Sequence, residues 1–111
     1  MPLSAAANAI QLHVDLDVDP AKEKTLLQTF KTTFRPAMSK QPGFVDVKLM
    51  KLRSAPVGKA PANTNYRLMI SFETEDQRIA WTKTDIHQAV WPQMSKNFRS
   101  QSFNAVLFEI L

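Results

Sequence analysis

The chain contains no cysteine and only two glycines. Without cysteine there is no thiolate nucleophile, disulfide framework or thiolate metal site. Two glycines cannot build a Gly-rich phosphate cradle, and neither a P-loop nor a GxGxxG turn is present. No apolar run approaches the roughly 18 residues of a membrane span. The stretch "MPLSAAANAI" has neither the basic lead nor the apolar centre of a secretory signal. A cytoplasmic protein with no membrane partner is expected, and the lack of cysteine fits a reducing compartment. Long charge runs are missing too. Fourteen Lys and Arg bring the net charge to +4, but they scatter from Lys22 to Arg99. Nucleic-acid binders concentrate such charge on one face or helix, so no nucleic-acid partner is expected. A modest positive field can still draw in a small anion.

What is present suits one domain over residues 1–111. Hydrophobic residues make up 44%, enough for a core without metal or disulfide staples. "AIQLHVDLDVD" alternates strictly: Ile10, Leu12, Val14, Leu16 and Val18 point one way, Gln11, His13, Asp15 and Asp17 the other. That is a half-buried strand. Asp19-Pro20 starts a helix carrying Leu26, Leu27, Phe30, Phe34 and Met38, which Pro36 should bend or end. "KQPG" at 40–43 is a turn. A second strand runs from Phe44 to about Arg53, with Val45, Val47 and Leu49 on one face and Phe44, Met50 and Leu52 on the other. After the loop "SAPVGKAPANT", a third strand aligns Tyr66, Leu68, Ile70 and Phe72. Thr74 and Gln77 form a capping box for a helix from Glu75 to about Lys83. Thr84 recaps the chain for a further segment, which Pro92 kinks. "SFNAVLFEIL" is the fourth strand.

The order β-α-β-β-α-β is the split βαβ, a ferredoxin-like α+β fold: a four-stranded antiparallel sheet with its helices on one face. The other sheet face would then expose Met69, Val106, Phe108 and Ile110. An apolar patch of that kind marks an interface, and a second copy packed sheet against sheet would cover it.

Two clusters raise the question of chemistry. His13, Asp15 and Asp17 share a strand face, and their types suit a divalent metal. Strand neighbours at i and i+2 stand about 6.6 Å apart, wide for three ligands on one ion; no metal is expected. In "TDIHQAVWPQM", helical spacing places Ile86, Val90 and Met94 on one arc, with His87 and Trp91 beside them and Phe98 extending it. A polar imidazole in such a stripe has three readings: a core histidine bonded to a carbonyl, a pocket wall, or an acid/base. No second histidine or nucleophile stands at triad spacing.

Three stretches resemble the antibiotic biosynthesis monooxygenase family of the dimeric α/β barrel superfamily. They are "LDVDPAKEKTLLQTF", "QPGFVDVKLMK" with its Pro-Gly-Phe lead into the second strand, and "SFETEDQRIAWTKTDIHQAVW" with a Trp nine residues after its aromatic start. The resemblance covers about residues 10 to 110. It implies a ferredoxin-like protomer, a homodimer through the open sheet face, and a pocket between helices and sheet for a small hydrophobic or aromatic ligand. It also implies cofactor-independent oxidation of an aromatic or quinol-like substrate by molecular oxygen. In the polyketide-oxidising members a Trp, an Asn four residues before it and a Tyr six residues after it line the pocket. The matching positions here are Trp81, Gln77 and His87, expected as catalytic residues, with His87 taking a phenolic proton. Phe30, Phe34, Val14, Leu16, Leu68, Trp91 and Met94 are expected to bind substrate, alongside Leu12 and Ile70. In the haem-degrading branch the ligating His stands ten residues after the Trp. That position is Trp91 here, and an indole does not ligate iron as imidazole does. Haem degradation therefore ranks below the cofactor-free reading. A non-catalytic ligand-binding dimer of the same fold is the alternative.

Overall fold

The structure, a computed structural model, describes residues 8–101 and 103–111. The N-terminal stretch read for a signal, and Ser102 at the expected start of the fourth strand, lie outside them. Strict alternation makes β1 (Ile10–Leu16) a central strand. It pairs on one side with β3 (Tyr66–Phe72) and on the other with β4 (Asn104–Glu109), while β2 (Phe44–Lys51) borders β3. Every pairing is antiparallel, and the order is β2-β3-β1-β4. This is the ferredoxin-like arrangement expected from the element order.

Register decides the two faces. Leu12 stands opposite Ile70 and Leu107, and Val14 opposite Leu68 and Ala105. These residues face the helices, and Val14 and Leu68 are buried in the core there. His13 stands opposite Met69 and Val106 on the open face. β1 stops at Leu16, short of the expected Val18, because β3 begins at Tyr66. Beyond that point the Asn65 side chain stands in for a strand: it accepts from Val18 N at 2.7 Å and donates to Val18 O at 2.8 Å.

β2 departs from simple alternation. A register shift between Phe44 and Asp46 inserts one residue, as a bulge does. Phe44 thereby joins Val47 and Leu49 on the helix side and packs edge-on against Phe72 at 6.2 Å. Val45, expected beside Val47, is instead 53% exposed. Gly43, just before, adopts φ +80°, a region costly for other residues. A Cβ there would also displace the terminal amide of Gln77, but it is the backbone angle that calls for glycine.

The first helical arm opens with a single 3-10 turn (Pro20–Lys22), its Asp19 cap accepting from Ala21 N. It continues as α1 (Glu23–Thr29), a π turn (Phe30–Phe34) and α2 (Arg35–Ser39). Pro36 therefore neither ends the arm nor breaks it. Proline cannot donate to the Thr32 carbonyl, and the Arg35 N–H bonds to Phe30 O instead. The wider turn answers a second demand. Leu26, Phe30, Phe34 and Met38 are all buried, at a strict spacing of four. A regular helix drifts about 40° per such step; one i→i+5 turn takes up part of the drift. The arm is tied to the sheet by the Tyr66 hydroxyl, which donates to Glu23 Oε1 at 2.6 Å.

The second helical region is α3 (Glu75–Thr82) and α4 (Asp85–Ser95). Thr74 accepts from Gln77 N, and Thr84 from His87 N, so both threonines cap as read from sequence; the reciprocal half of the expected capping box is not made, because Gln77 Oε1 has no partner among the described residues. α4 continues through Pro92. Its buried positions are Val90 and Met94, whereas Ile86 is exposed: the inward face starts at His87, not at Ile86.

Candidate active site between the helices and the sheet

Beneath α3 and α4 lies a hollow of about 170 Å³. Its floor is Leu12 and Val14 of β1, Leu68 and Ile70 of β3 and Ala105 of β4. Arg78, Trp81 and Thr82 come from α3, and His87 and Trp91 from α4. Phe34, from the π turn, and Phe103, just before β4, complete the lining. The hollow is not sealed: Arg78, Thr82, His87 and Trp91 are partly exposed, and Phe103 and Ala105 are exposed.

Aromatic rings give the walls their shape. Phe34 meets Trp81 at 6.2 Å and Trp91 at 5.9 Å. His87 lies between the indoles, edge-on to Trp81 at 5.1 Å and stacked on Trp91 at 6.3 Å with 9° between planes. Such rings supply large apolar area in fixed geometry. The Thr84 hydroxyl sets the spacing of this trio: it donates to Trp81 O at 2.8 Å and accepts from His87 N at 3.1 Å.

The imidazole is held in an unusual state. Its Nδ1 is enclosed and has no hydrogen-bond partner among the described residues. Desolvation, which disfavours the charged form, lowers its pKa below the ordinary histidine range. The ring is therefore neutral at pH 7, and Nε2 is the nitrogen left to face a ligand.

Trp81, His87, Trp91, Phe34, Val14 and Leu68 are thus brought together around one hollow. Leu16, Phe30 and Met94 are packed into the core and do not line it. Gln77 stands on the far side of Trp81, over Gly43, beside a second hollow with Gln41, Pro42, Ala80 and Thr84. Its Oε1 is enclosed without a hydrogen-bond partner among the described residues. Sequence reasoning missed Arg78, Thr82, Ala105 and Phe103. Arg78 was within reach, since it precedes Trp81 by three and so shares its helix face. Phe103 and Ala105 needed the pairing of β4 with β1.

The strand cluster considered for a metal is otherwise engaged. Asp15 accepts from Arg67 Nε at 2.7 Å, Asp17 from Arg99 Nε at 2.8 Å, and His13 Nε2 lies 2.7 Å from Gln11 Oε1. Among the described residues no three His, Asp or Glu side chains gather as a metal would need.

Comparison with known proteins bears on the same region. The sequence pattern of the antibiotic biosynthesis monooxygenase family matches residues 9–92. Solved structures share the fold at low identity. SnoaB, a cofactor-independent oxygenase from Streptomyces nogalater (the N63A mutant), is 15% identical with a TM-score of 0.71, covering 94% of each chain. A conserved protein from Methanosarcina mazei Go1 is 14% identical with a TM-score of 0.74, covering 93% of each. A dimeric ferredoxin-like protein of unknown function from Jannaschia sp. CCS1 is 12% identical with a TM-score of 0.74, covering 92% of this chain and 99% of the other. A search of curated proteins finds no match.

Proposed function

Because the chain belongs to the antibiotic biosynthesis monooxygenase family, we propose that it is a small monooxygenase. Its substrate is an electron-rich aromatic or quinol-like molecule held between α3, α4 and the sheet. The observation that best supports this reading is one neutral imidazole, His87, set among indoles in an otherwise mainly apolar hollow. Apolar walls bury a planar ring, and a few polar groups orient it.

In this reading His87 acts through Nε2. A histidine base ends its step as imidazolium, which here encloses an Nδ1–H with no acceptor; catalytic triads supply a carboxylate at that position. Orphaned buried donors are rarer than orphaned acceptors. The neutral Nε2–H form therefore donates to a substrate oxygen and stabilises its anion, in place of the base role expected from sequence. Trp81 and Trp91 hold the ring. Gln77 is a positioning residue that acts through Trp81, with which it borders the second hollow.

The substrate hydroxyl proton leaves to solvent at the opening. The anion passes one electron to O2, and the two radicals join in a C–O bond. Loss of water then breaks O–O and leaves a carbonyl. For a ring methylene the sum is CH2 + O2 → C=O + H2O, so the substrate supplies every electron and no cofactor enters. We further propose a homodimer through the open sheet face, where Val106 and Phe108 are 49% and 52% exposed; the Jannaschia relative is dimeric.

Oxygen uptake with a panel from single-ring hydroquinones to anthrones tests the reading. Wild type consumes oxygen with at least one member. His87→Ala lowers kcat by about 100-fold, the loss typical of removing one oxyanion donor. His87→Gln, which keeps an N–H, recovers part of it. Equal uptake by wild type and His87→Ala rejects the assignment. Binding without any uptake favours the non-catalytic ligand-binding dimer.

A further inference from the structure

The hollow is lined by one permanently charged group, Arg78, and part of its hydrogen-bonding capacity has no acceptor among the described residues. Arg78 Nε and Nη2 donate to the two Glu75 oxygens at 2.6 and 2.7 Å. A guanidinium has five N–H bonds, so three have no acceptor among the described residues. The Arg78 side chain is only 18% exposed, and it borders the hollow. Glu75 does not line the hollow; it fixes the guanidinium plane from outside while the free N–H bonds remain for a ligand. No carboxylate is among the lining residues. Arg78 is the one charged lining residue, and a ligand carboxylate shares its guanidinium with Glu75, which holds two of the five N–H bonds from outside the lining.

Size adds a second constraint. A cavity of about 150 Å³ lined by Leu, Ile and Phe holds one benzene molecule. The hollow here is about 170 Å³, room for one six-membered ring with substituents reaching the opening. We propose that Arg78 is the specificity residue of the site, and that the substrate is a single-ring aromatic bearing a carboxylate that pairs with it. This rests on the monooxygenase reading above for the word substrate, but recognition can be measured without turnover. Charge-assisted bonds from guanidinium to carboxylate are directional and stronger than neutral ones, and the net positive charge of the chain favours an anion's approach.

Calorimetric titration under nitrogen, with 2,5-dihydroxybenzoate against 2,5-dihydroxybenzamide, separates charge from shape. Wild type binds the acid about tenfold or more tightly than the amide, the range for a hydrogen bond to a charged group. Arg78→Met brings the ratio close to one, and Arg78→Lys retains part of it. Because the ratio is taken within each variant, a change in folded fraction cancels. The two-ring 1,4-dihydroxy-2-naphthoate binds more weakly than the single-ring acid. The proposal is overturned by equal binding of acid and amide to wild type, by an unchanged ratio in Arg78→Met, by tighter binding of the naphthoate, or by no binding of either single-ring compound. Discrimination without oxygen uptake leaves the proposal standing and rejects the monooxygenase reading. Uptake with no preference between acid and amide does the reverse.

Discussion

His87 is partly buried, and its enclosed Nδ1 has no hydrogen-bond partner among the described residues; that has a consequence for stability as well as chemistry. Desolvation lowers its pKa in the folded chain. His13 is lowered as well, by desolvation and then by Arg67, with Asp15 opposing. In the unfolded chain both titrate near the ordinary value of about 6.5. As pH falls through that value the unfolded state takes up protons first, so stability falls with pH. Above it both states are neutral and the effect vanishes. We expect a lower urea midpoint near pH 5.5 than near pH 7.5 (about one pH unit either side of the ordinary histidine value). Removing the ring in His87→Gln should shrink that difference, and an undiminished difference would show that His87 is not its source. The polar residue in an apolar stripe was visible in the sequence. That its Nδ1 is left enclosed and unpaired was not, because enclosure comes from Trp81 and Trp91 together.

At the scale of the element, the joint between α3 and α4 matters most. One hydroxyl, that of Thr84, closes α3 by donating to Trp81 O and opens α4 by accepting from His87 N. The spacing of the two site residues is thus fixed by a cap rather than by the sheet. Thr84→Ala should cost about 1 kcal/mol of stability, as lost N-caps do. It should also weaken ligand binding more than Thr84→Ser, which keeps the oxygen. Urea titration and calorimetry on the three proteins check this, and equal binding by all three would show that the cap does not position the site. The first arm shows what local rules leave out. Pro36 reads as a stop on its own. Yet Phe34 and Met38, on either side of it, are buried against the same core, and a single wider turn satisfies both the proline and the packing.

On the scale of the whole molecule, the chain is a slab of 51 × 37 × 21 Å with a radius of gyration of 14.9 Å. A compact chain of this length has about 13 Å. The excess fits two layers with a bare sheet face rather than a closed core. That face carries Val106 and Phe108 opposite His13 and Gln11, and the Phe108 ring lies 5.1 Å from His13. If the proposed dimer forms there, Phe108→Asp places a charge in its middle, unpaired and desolvated. Light scattering should then report a dimer for wild type and a monomer for Phe108→Asp, with the fold retained by circular dichroism. A wild-type monomer would remove the dimer from the account and leave the site untouched.

Strand alternation, the two threonine caps and the turn at Pro42-Gly43 were enough to read the element order, and with it the ferredoxin-like fold, directly from the residues. These signals are local: each rests on a period of two or 3.6, or on one backbone bond within four positions. The site was only partly legible for the converse reason. Helical spacing pointed to His87 and Trp91, and the family resemblance to Trp81, but which large residues line a space and which fill the core is set by how two layers meet. Leu16 and Met94 carry the same pattern as Val14 and Trp91, yet only the latter pair border the hollow. Gln77 and Arg78 are neighbours in sequence, and the 100° between them on α3 sends one over Gly43 and the other to the hollow under α4. Only the packing of α3 on the sheet could decide which of the two meets a ligand.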